Sequence, residues 1–285
     1  MTSELEMVLP GGSSKALIVD EANDSLGLLD EMIEWIGDGE RPIAFDVETT
    51  GLGFSDAGER LRWIKVGDAS TAWVIHPSHG HILRTAFAAM KLPLAHNGLF
   101  DAAWLHHRAD VRGMGSVVRR MVDTQTLAFL YDPRKAMAGT EGPSWNDSDA
   151  EPPIGLGLKA LSVQHLGAGA DRYERELAEK FEMPPSGHGK VWLAKWNEIP
   201  DDDETFLRYS GADVVITCRL HDKLWPLLSD QERDELYPLE QRVQYEAFRI
   251  MRDGLRVDVE ACKEVSAKLT AYAERKDAEL LDRFG

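Results

Sequence analysis

The sequence predicts an α/β domain in which a β-sheet is covered by helices. Three runs of apolar and β-favouring residues follow one another between residues 41 and 77, "RPIAFDVE", "LRWIKVGDAS" and "TAWVIHP". Segments with apolar residues at helical spacing lie on both sides of these runs, and a short apolar run, "LPLAHN", stands between two of them. Consecutive strands followed by helix-linked strands are typical of layered α/β architectures.

A short strand and a helix precede the three strand-like runs, and two further helices follow them. "KALIVD" at 15–20 alternates like a short strand, and "NDSLGLLDEMIEWIGDG" at 23–39 has the Asn/Asp start and the Gly stop of a helix. A glycine-rich turn separates the first two strands of the 41–77 region. "HILRTAFAAMK" and "GLFDAAWLHHR" predict two helices, and Asn97 stands where an asparagine caps a helix N-terminus.

The pattern changes after residue 132. The segment 133–155 is acidic and rich in Pro, Gly and Ser, so we expect a disordered loop there. From residue 156 the pattern is helical, apart from a second loop over 184–203. The last part of the chain predicts two long helices separated by "DGLRVD" at 253–258, a turn and a short strand.

Composition limits the classes of function and the cellular compartment. The net charge of −17 opposes broad neutralisation of a nucleic-acid backbone, and leaves binding through a local basic patch, divalent cations or a tethered domain. No apolar run approaches the length of a membrane span, and the N-terminus lacks signal-peptide features. Cys218 and Cys262 argue against a disulfide framework and a thiolate zinc site. We expect no membrane partner and a cytoplasmic location, in a bacterium or a phage-infected host cell.

The stretch "IAFDVETTGL" ends an apolar strand in two acids. Residues two apart on a strand point to the same face, so Asp46 and Glu48 hold two carboxylates side by side. Each carboxylate makes the other costlier to ionise, and the pair therefore requires a nearby cation.

Two further segments carry acids at the edge of an apolar element. In "LAHNGLFDAAWL", Asn97 and Asp101 are four residues apart and share a helix face. In "RYSGADVVITCRLHDKLW", Tyr209 and Asp213 have the same spacing, and Asp213 lies close to the face that should be buried. Each segment alone has an ordinary structural explanation. Together, the four carboxylates suit a pair of Mg²⁺ or Mn²⁺ ions roughly 3.5–4 Å apart.

These three segments resemble the exonuclease motifs of the DnaQ-like 3′–5′ exonucleases, which have a ribonuclease H-like fold. The four-residue spacing of Tyr209 and Asp213 looks like the tyrosine subclass. The similarity is strongest to the proofreading domain of family A DNA polymerases of the bacterial DNA polymerase I type. It covers about residues 15–270, because "YPLEQRVQYEAFRIMRDGLRVDVEAC" is similar to the segment that leads into a polymerase domain. The implied fold is a ribonuclease H-like mixed sheet flanked by helices, followed by a mainly helical extension.

The resemblance also implies roles for individual residues. Asp46 would bridge both ions, Glu48 and Asp213 would complete the nucleophile-side site, Asp101 would serve the leaving-group side, and Tyr209 would orient the attacking water. The implied substrate contacts are Thr49, Leu52, Asn97 and Phe100. Lys190, from the basic and aromatic stretch "GHGKVWLAKW", is a further candidate for contact with nucleic acid.

The expected organisation has three parts: a flexible N-terminus at 1–14, an exonuclease domain at 15–226, and the helical start of a polymerase region at 227–285. The expected partners are the 3′ end of single-stranded DNA and a polymerase domain in the same or a partner chain. No polymerase activity is expected from this chain alone. Two alternatives stay open: an exoribonuclease of the same superfamily, and a catalytically inactive docking domain.

Overall fold

The computed structural model describes residues 4–20, 25–37, 40–134, 155–184 and 190–284, and it has the expected α/β architecture. One sheet contains strands β1 (Glu4–Leu9), β2 (Gly12–Val19), β3 (Pro42–Thr49), β4 (Leu61–Gly67), β5 (Thr71–Ile75), β6 (Leu92–Ala95) and β7 (Val122–Asp123). Their order is β1-β2-β5-β4-β3-β6-β7. The sheet is mixed, because β2 pairs with β5, and β3 and β7 pair with β6, in parallel, whereas the other neighbours are antiparallel.

Helices cover both faces of this sheet. The α-helices of the described chain are α1 (Ser25–Gly37), α2 (Gly80–Ala89), α3 (Gly98–Arg108), α4 (Met114–Val118), α5 (Thr124–Tyr131), α6 (Leu158–Leu166), α7 (Arg172–Lys180), α8 (Lys190–Glu198), α9 (Glu204–Leu224), α10 (Tyr237–Asp253) and α11 (Val259–Phe284). None of the described helices combines the length and the apolar content that crossing a bilayer requires.

The two faces of the sheet bury separate apolar cores. On one face, Trp63 of β4 packs in a cluster with Val214 of α9. On the other face, Phe45 of β3 packs edge-on against Phe87 of α2, with ring centroids 5.4 Å apart, in a cluster that also contains Trp104 of α3. Alternate residues of the central strands thus enter opposite cores, which is why these strands read as continuous apolar runs.

The N-terminal segment is more ordered than the sequence predicts. The expectation of a flexible terminus is wrong for residues 4–14, which form β1 and the start of β2 as an antiparallel pair. Met7 is fully buried, and the backbone N–H of Val8 donates to the Tyr173 hydroxyl at 2.8 Å. The short alternating pattern "ELEMVL" is a strand because it gains a partner strand and a core to cover.

Two further expectations need correction. The predicted loop over 184–203 contains helix α8, because Trp196 is buried and fixes this segment against the sheet. The predicted short strand within 253–258 is absent from the described chain, where residues 254–258 have no strand pairing. A strand needs a neighbouring strand to satisfy its backbone groups.

Asn97 does not cap α3 with its side chain, contrary to the sequence prediction. Its backbone is left-handed (φ 61°) and its side chain makes no capping hydrogen bond. The buried carboxylate of Asp123 takes this role, since Oδ1 accepts from the N–H of Asn97 at 3.1 Å and Oδ2 from that of Gly98 at 2.9 Å. The same Oδ1 accepts from the N–H of Gln125 at 2.9 Å and caps α5. One carboxylate therefore fixes the starts of two helices.

A small residue lets α9 approach the sheet closely. A Cβ atom added at Gly211 would lie 2.8 Å from the Cβ of Ala16 on β2. Gly211 stands between Tyr209 and Asp213, so the close approach sets the distance from these two side chains to the strands.

Contacts divide the chain into two compact units, Met1–Arg252 and Asp253–Gly285. Helix α10 contributes to the first unit through the fully buried Phe248. The second unit is mainly α11, on which no residue is buried. The expected boundary between domains at residue 226 stays a prediction.

Asp123→Ala should lower the free energy of unfolding by about 2–3 kcal/mol, because three backbone N–H groups lose a charged acceptor in a buried position. Urea denaturation followed by circular dichroism measures the loss. Asp230→Ala is a matched control, since Asp230 is 89% exposed in a surface pair with Arg233, and it should cost less than about 1 kcal/mol. Equal losses in the two variants would contradict the capping role.

Candidate active site

The acid pair predicted on β3 is positioned by the register of the sheet. Asp46 pairs directly with Lys65 on the antiparallel strand β4, and Glu48 pairs with Trp63. Directly opposed residues in antiparallel strands share a face, as do residues two apart on one strand. Asp46, Glu48 and Lys65 therefore lie on one face near the end of β3. A register shift between Glu48 and Thr49 ends the regular pairing at this point.

Helices from both sides of the sheet bring two more acids to this position. One ligand oxygen each from Asp46, Glu48 and Asp213 of α9 lie within 4.8 Å of one another. Asp101 of α3 accepts a hydrogen bond from the backbone N–H of Val47 at 3.1 Å, and its carboxyl is hydrogen-bonded to that of Asp46. The four acids, more than 160 positions apart at the extremes of the sequence, thus form one cluster. We call these four residues the acid cluster.

A buried lysine lies inside the acid cluster. The ammonium group of Lys65 is fully buried; it contacts Asp46 Oδ2 and donates to Glu48 Oε1 at 2.6 Å. Burial alone would lower the pKa of Lys65, but Asp46 and Glu48 raise it above its ordinary value. Lys65 therefore stays charged and balances part of the negative charge of the cluster.

The acids themselves ionise differently. Burial would raise the pKa of Asp46, yet the charge and the hydrogen bond of Lys65 bring it below the ordinary value. Burial, together with the charge of Asp46, raises the pKa of Glu48 although Lys65 opposes the shift. Burial and the charge of Asp46 raise the pKa of Asp101 well above its ordinary value. Of these two carboxyls, Asp101 therefore keeps a proton to higher pH than Asp46.

A second lysine pairs with the fourth acid. Lys159, in the first turn of α6, contacts Asp213 Oδ1 with its ammonium group. The same nitrogen lies 4.6 Å from the ring centroid of Tyr209. Burial, the largest influence, lowers the pKa of Lys159 to about 8. Burial and the charge of Glu48 raise the pKa of Tyr209 well above its ordinary value, so its hydroxyl stays protonated at neutral pH.

Helix α8 braces the turn that follows the acid pair. The indole N–H of Trp196 donates to the backbone carbonyl of Thr49 at 2.9 Å, and the side-chain amide of Asn197 donates to that of Thr50 at 3.0 Å. The Trp196 ring also meets Tyr209 edge-on at 5.8 Å. Arg62 donates to the Trp196 carbonyl at 3.1 Å from a fully buried position on β4.

The predicted substrate contacts differ in their exposure to solvent. Leu52 is 71% exposed, whereas Phe100 is half-buried and packs near Trp104 with ring centroids 6.2 Å apart. The Thr49 hydroxyl donates to the Gly51 carbonyl at 2.6 Å. The side chain of Lys190 and most of the acidic loop, residues 135–154, lie outside the described residues. The roles of all these residues in binding stay predictions.

The donor set suits a hard divalent cation. The acid cluster offers carboxylate oxygens and no thiolate or imidazole, which is the ligand chemistry that Mg²⁺ and Mn²⁺ prefer. Of the two acids that contact Lys65, Asp46 is the more accessible, with 26% of its side chain exposed against 8% for Glu48. The oxygens of Asp46, Glu48 and Asp213 are close enough to share one ion after small side-chain rotations.

Comparison with known proteins assigns this arrangement to a family. The family model described as a 3′–5′ exonuclease matches residues 24–229, which is more than half of the chain and includes all four acids. The chain belongs to this 3′–5′ exonuclease family. The resemblance drawn from the three sequence motifs is thereby confirmed, and the exonuclease is a metal-dependent enzyme of this class.

Two viral DNA polymerases are similar to the exonuclease over most of its length. The DNA polymerase of Mycobacterium phage L5 is 29% identical over 249 residues, 85% of this chain and 38% of the relative. The DNA polymerase of Mycobacterium phage D29 is 27% identical over 262 residues, 90% of this chain and 40% of the relative. This chain therefore spans less than half of the length of these relatives.

A solved structure supports the fold. Trypanosoma brucei RNase D superimposes with a TM-score of 0.51 at 14% identity, over 85% of this chain and 74% of that one. At this level of identity the likeness concerns the fold alone. The ribonuclease H-like class, a mixed sheet flanked by helices, is confirmed.

Sequence analysis did not identify Lys65 and Lys159, the two lysines that contact the acid cluster. Lys65 had a recognisable signal, since "LRWIKVG" is an apolar strand that follows the acid-bearing strand after one turn, and a buried strand rarely carries an unpaired cation. Lys159 had no such signal, because its meeting with Asp213 depends on how α6 packs on α9.

Lys65→Met should destabilise the exonuclease in EDTA by about 3–5 kcal/mol, because it leaves Asp46 and Glu48 buried without their cation. Mg²⁺ should restore more stability to this variant than to the parent, since an ion then supplies the missing charge. Chemical denaturation with and without Mg²⁺ measures both effects. Lys91→Met, which removes a 58% exposed lysine, is the control. A Lys65→Met protein as stable as the parent in EDTA would refute this role.

Affinity for Mn²⁺ should increase between about pH 5 and about pH 8, because the ion must displace protons from its ligands. The raised pKa values of Asp101 and Glu48 mean that these groups hold their protons to higher pH than ordinary carboxyls, so protons compete more strongly at low pH. Calorimetric titrations across this range test the slope. In Asp101→Asn, Mn²⁺ affinity should depend less steeply on pH. An equally steep pH dependence would show that the proton on Asp101 does not compete with the ion.

Proposed function

We propose that the exonuclease hydrolyses phosphodiester bonds at DNA 3′ ends with two divalent ions, Mg²⁺ or Mn²⁺, and that it proofreads for a family A DNA polymerase. The observation that carries this proposal is the convergence of Asp46, Glu48, Asp101 and Asp213 at the end of one strand. No single packing requirement explains why four acids from three elements share one buried position.

The residues of the acid cluster would divide between the two ions. Asp46, Glu48 and Asp213 would hold one ion, and Asp101 would hold the second with Asp46. When bound, such ions supply a water of lowered pKa near neutral pH and stabilise charge on the departing 3′ oxygen. The N–H of Val47 fixes the orientation of Asp101. Asp101 must lose its proton to serve as a ligand, which the charge of an ion favours.

Tyr209 would position the attacking water through its hydroxyl. The ring packs in one aromatic cluster with Trp196 and Phe206, whose centroids lie 5.8 Å and 6.4 Å from its own. The raised pKa keeps the phenol neutral, so it can donate one hydrogen bond and accept another. Its contribution is therefore orientation and not removal of a proton from water.

The substrate would lie along the open side of the acid cluster. Leu52 presents an exposed apolar side chain beside the acid-bearing strand and would pack against the terminal base. Thr49, Asn97, Phe100 and Lys190 are the other proposed contacts. An exonuclease acts on unpaired ends, for which stacking surfaces and a few backbone contacts are sufficient.

Two observations favour DNA over RNA and a polymerase as the partner. The relatives from both mycobacteriophages are DNA polymerases. The net charge of −17 means that tight binding of a polyanion by this chain alone is unfavourable, whereas a tethered polymerase domain in the same or a partner chain would hold the duplex at high effective concentration.

The exonuclease should shorten a 5′-labelled single-stranded DNA from its 3′ end in Mg²⁺ or Mn²⁺, and EDTA should stop the reaction. Asp46→Ala should reduce the rate at least about a thousandfold, because every proposed ion loses a ligand. Gel analysis of DNA and matched RNA oligonucleotides measures both activity and preference.

Asp222→Ala is the control for this variant, since Asp222 is 62% exposed and pairs with His221 away from the acid cluster. Circular dichroism checks that Asp46→Ala stays folded. Faster shortening of RNA would replace the proposal with the exoribonuclease alternative. A fully active Asp46→Ala would refute the metal assignment, and a parent inactive on both polymers would favour the docking domain.

A further inference from the structure

We propose that Lys159 is a substrate-binding residue: its ammonium group occupies Asp213 while metal is absent and turns to the scissile phosphate when a divalent ion takes that carboxylate. This inference deepens the proposed function and rests on it. The Lys159–Asp213 contact would then be one of two positions of Lys159, and not a permanent ion pair.

The charges at the acid cluster disfavour two lysines once an ion is bound. Four carboxylates share the position with two ammonium groups, one on Asp46 and Glu48 and the other on Asp213. A divalent ion held by Asp46, Glu48 and Asp213 would stand close to both lysines. Like charges at such a separation repel strongly when water is excluded. Binding of an ion at these oxygens therefore favours the departure of one lysine.

The two lysines differ in how firmly they are held. Lys65 is fully buried in a central strand, and it bonds two acids at once. Lys159 has 17% of its side chain exposed, stands in the first turn of α6, and bonds one of the four acids. Its four-carbon stem reorients by rotation about single bonds, without movement of the backbone. Lys159 is therefore the lysine that gives way, and Lys65 is the permanent one.

A substrate phosphate would be the new partner of the Lys159 ammonium group. The Lys159 nitrogen already lies 4.6 Å from the centre of the Tyr209 ring, beside the residue that would orient the attacking water. A nucleic-acid phosphate at the acid cluster is the one anion that the reaction itself brings there. An ammonium group is a suitable point-charge donor for a non-bridging phosphate oxygen, where it would also stabilise developing charge.

A purely structural ion pair makes the opposite prediction. If Lys159 only supports Asp213, its removal disorders a ligand and weakens metal binding and substrate hydrolysis together. If Lys159 exchanges with the ion, its removal strengthens metal binding and weakens use of the substrate. The signs of the two effects therefore separate the two roles.

The first measurement is Mn²⁺ binding without nucleic acid, by electron paramagnetic resonance of the free ion. Lys159→Gln should bind Mn²⁺ on the order of tenfold more tightly than the parent, since the competing charge is gone. Lys91→Gln makes the same change in net charge at a 58% exposed lysine, next to the opposite end of β3, and should bind like the parent. Lys159→Arg keeps the charge and should also resemble the parent.

The second measurement is hydrolysis of single-stranded DNA at saturating Mn²⁺. Lys159→Gln should lower kcat/KM on the order of a hundredfold, and Lys159→Arg should recover most of the loss, because a cation again reaches the phosphate. Lys91→Gln should match the parent. Circular dichroism and thermal melting in EDTA confirm that each variant is folded before comparison.

Mn²⁺ affinity that is unchanged or weaker in Lys159→Gln would overturn the exchange at Asp213. Unchanged hydrolysis at saturating Mn²⁺ would overturn the contact with phosphate. A parent that degrades RNA and not DNA would refute the proposed substrate alone, and the same variants would then be compared on RNA. A parent inactive on both polymers would refute the phosphate contact together with the proposed function, while the Mn²⁺ measurement still decides the exchange.

Discussion

The contact of Lys65 with Asp46 and Glu48 is the interaction on which the site depends. Two acids next to each other on a buried strand repel, and the chain compensates by placing a lysine directly opposite on β4. The pairing register makes this placement automatic, since a shift by one residue would turn Lys65 into the other core. Lys65 thus balances the two acids without a metal ion and holds them close together, as a shared ion would require.

Residues without reactive chemistry set the rest of the geometry. Asp123 fixes the start of α3 and with it the position of Asp101. Gly211 allows α9 to approach the strands, and Trp196 ties α8 to the turn after the acid pair. Each contact constrains the backbone or the packing of a segment that carries one of the four acids. Preorganisation of this kind limits the reorientation that binding of a cation would otherwise require.

The charges of the acid cluster connect stability to function. A site built from acids alone would depend on metal for its folding, whereas the two lysines keep this site partly neutral without metal. They would also compete with a metal ion, so the same charges that stabilise the fold would lower the affinity for that ion. A permanent lysine and a displaceable one would divide these demands: Lys65 supports the strands, and Lys159 follows the occupancy of the site. The overall acidity of the chain agrees with the proposal that a neighbouring domain would supply most of the binding to nucleic acid.

The sequence by itself determined the family, the class of fold and the identity of the four acids, because a strand or a helix turn encodes spacing within a few residues. It also fixed the four-residue step that places Tyr209 and Asp213 on one face of α9. Tertiary structure decided the rest. The strand in the N-terminal segment, the transfer of capping from Asn97 to Asp123, and the meeting of Lys159 with Asp213 all depend on partners distant in sequence. Such contacts follow from how layers pack, and local residue patterns carry no record of them.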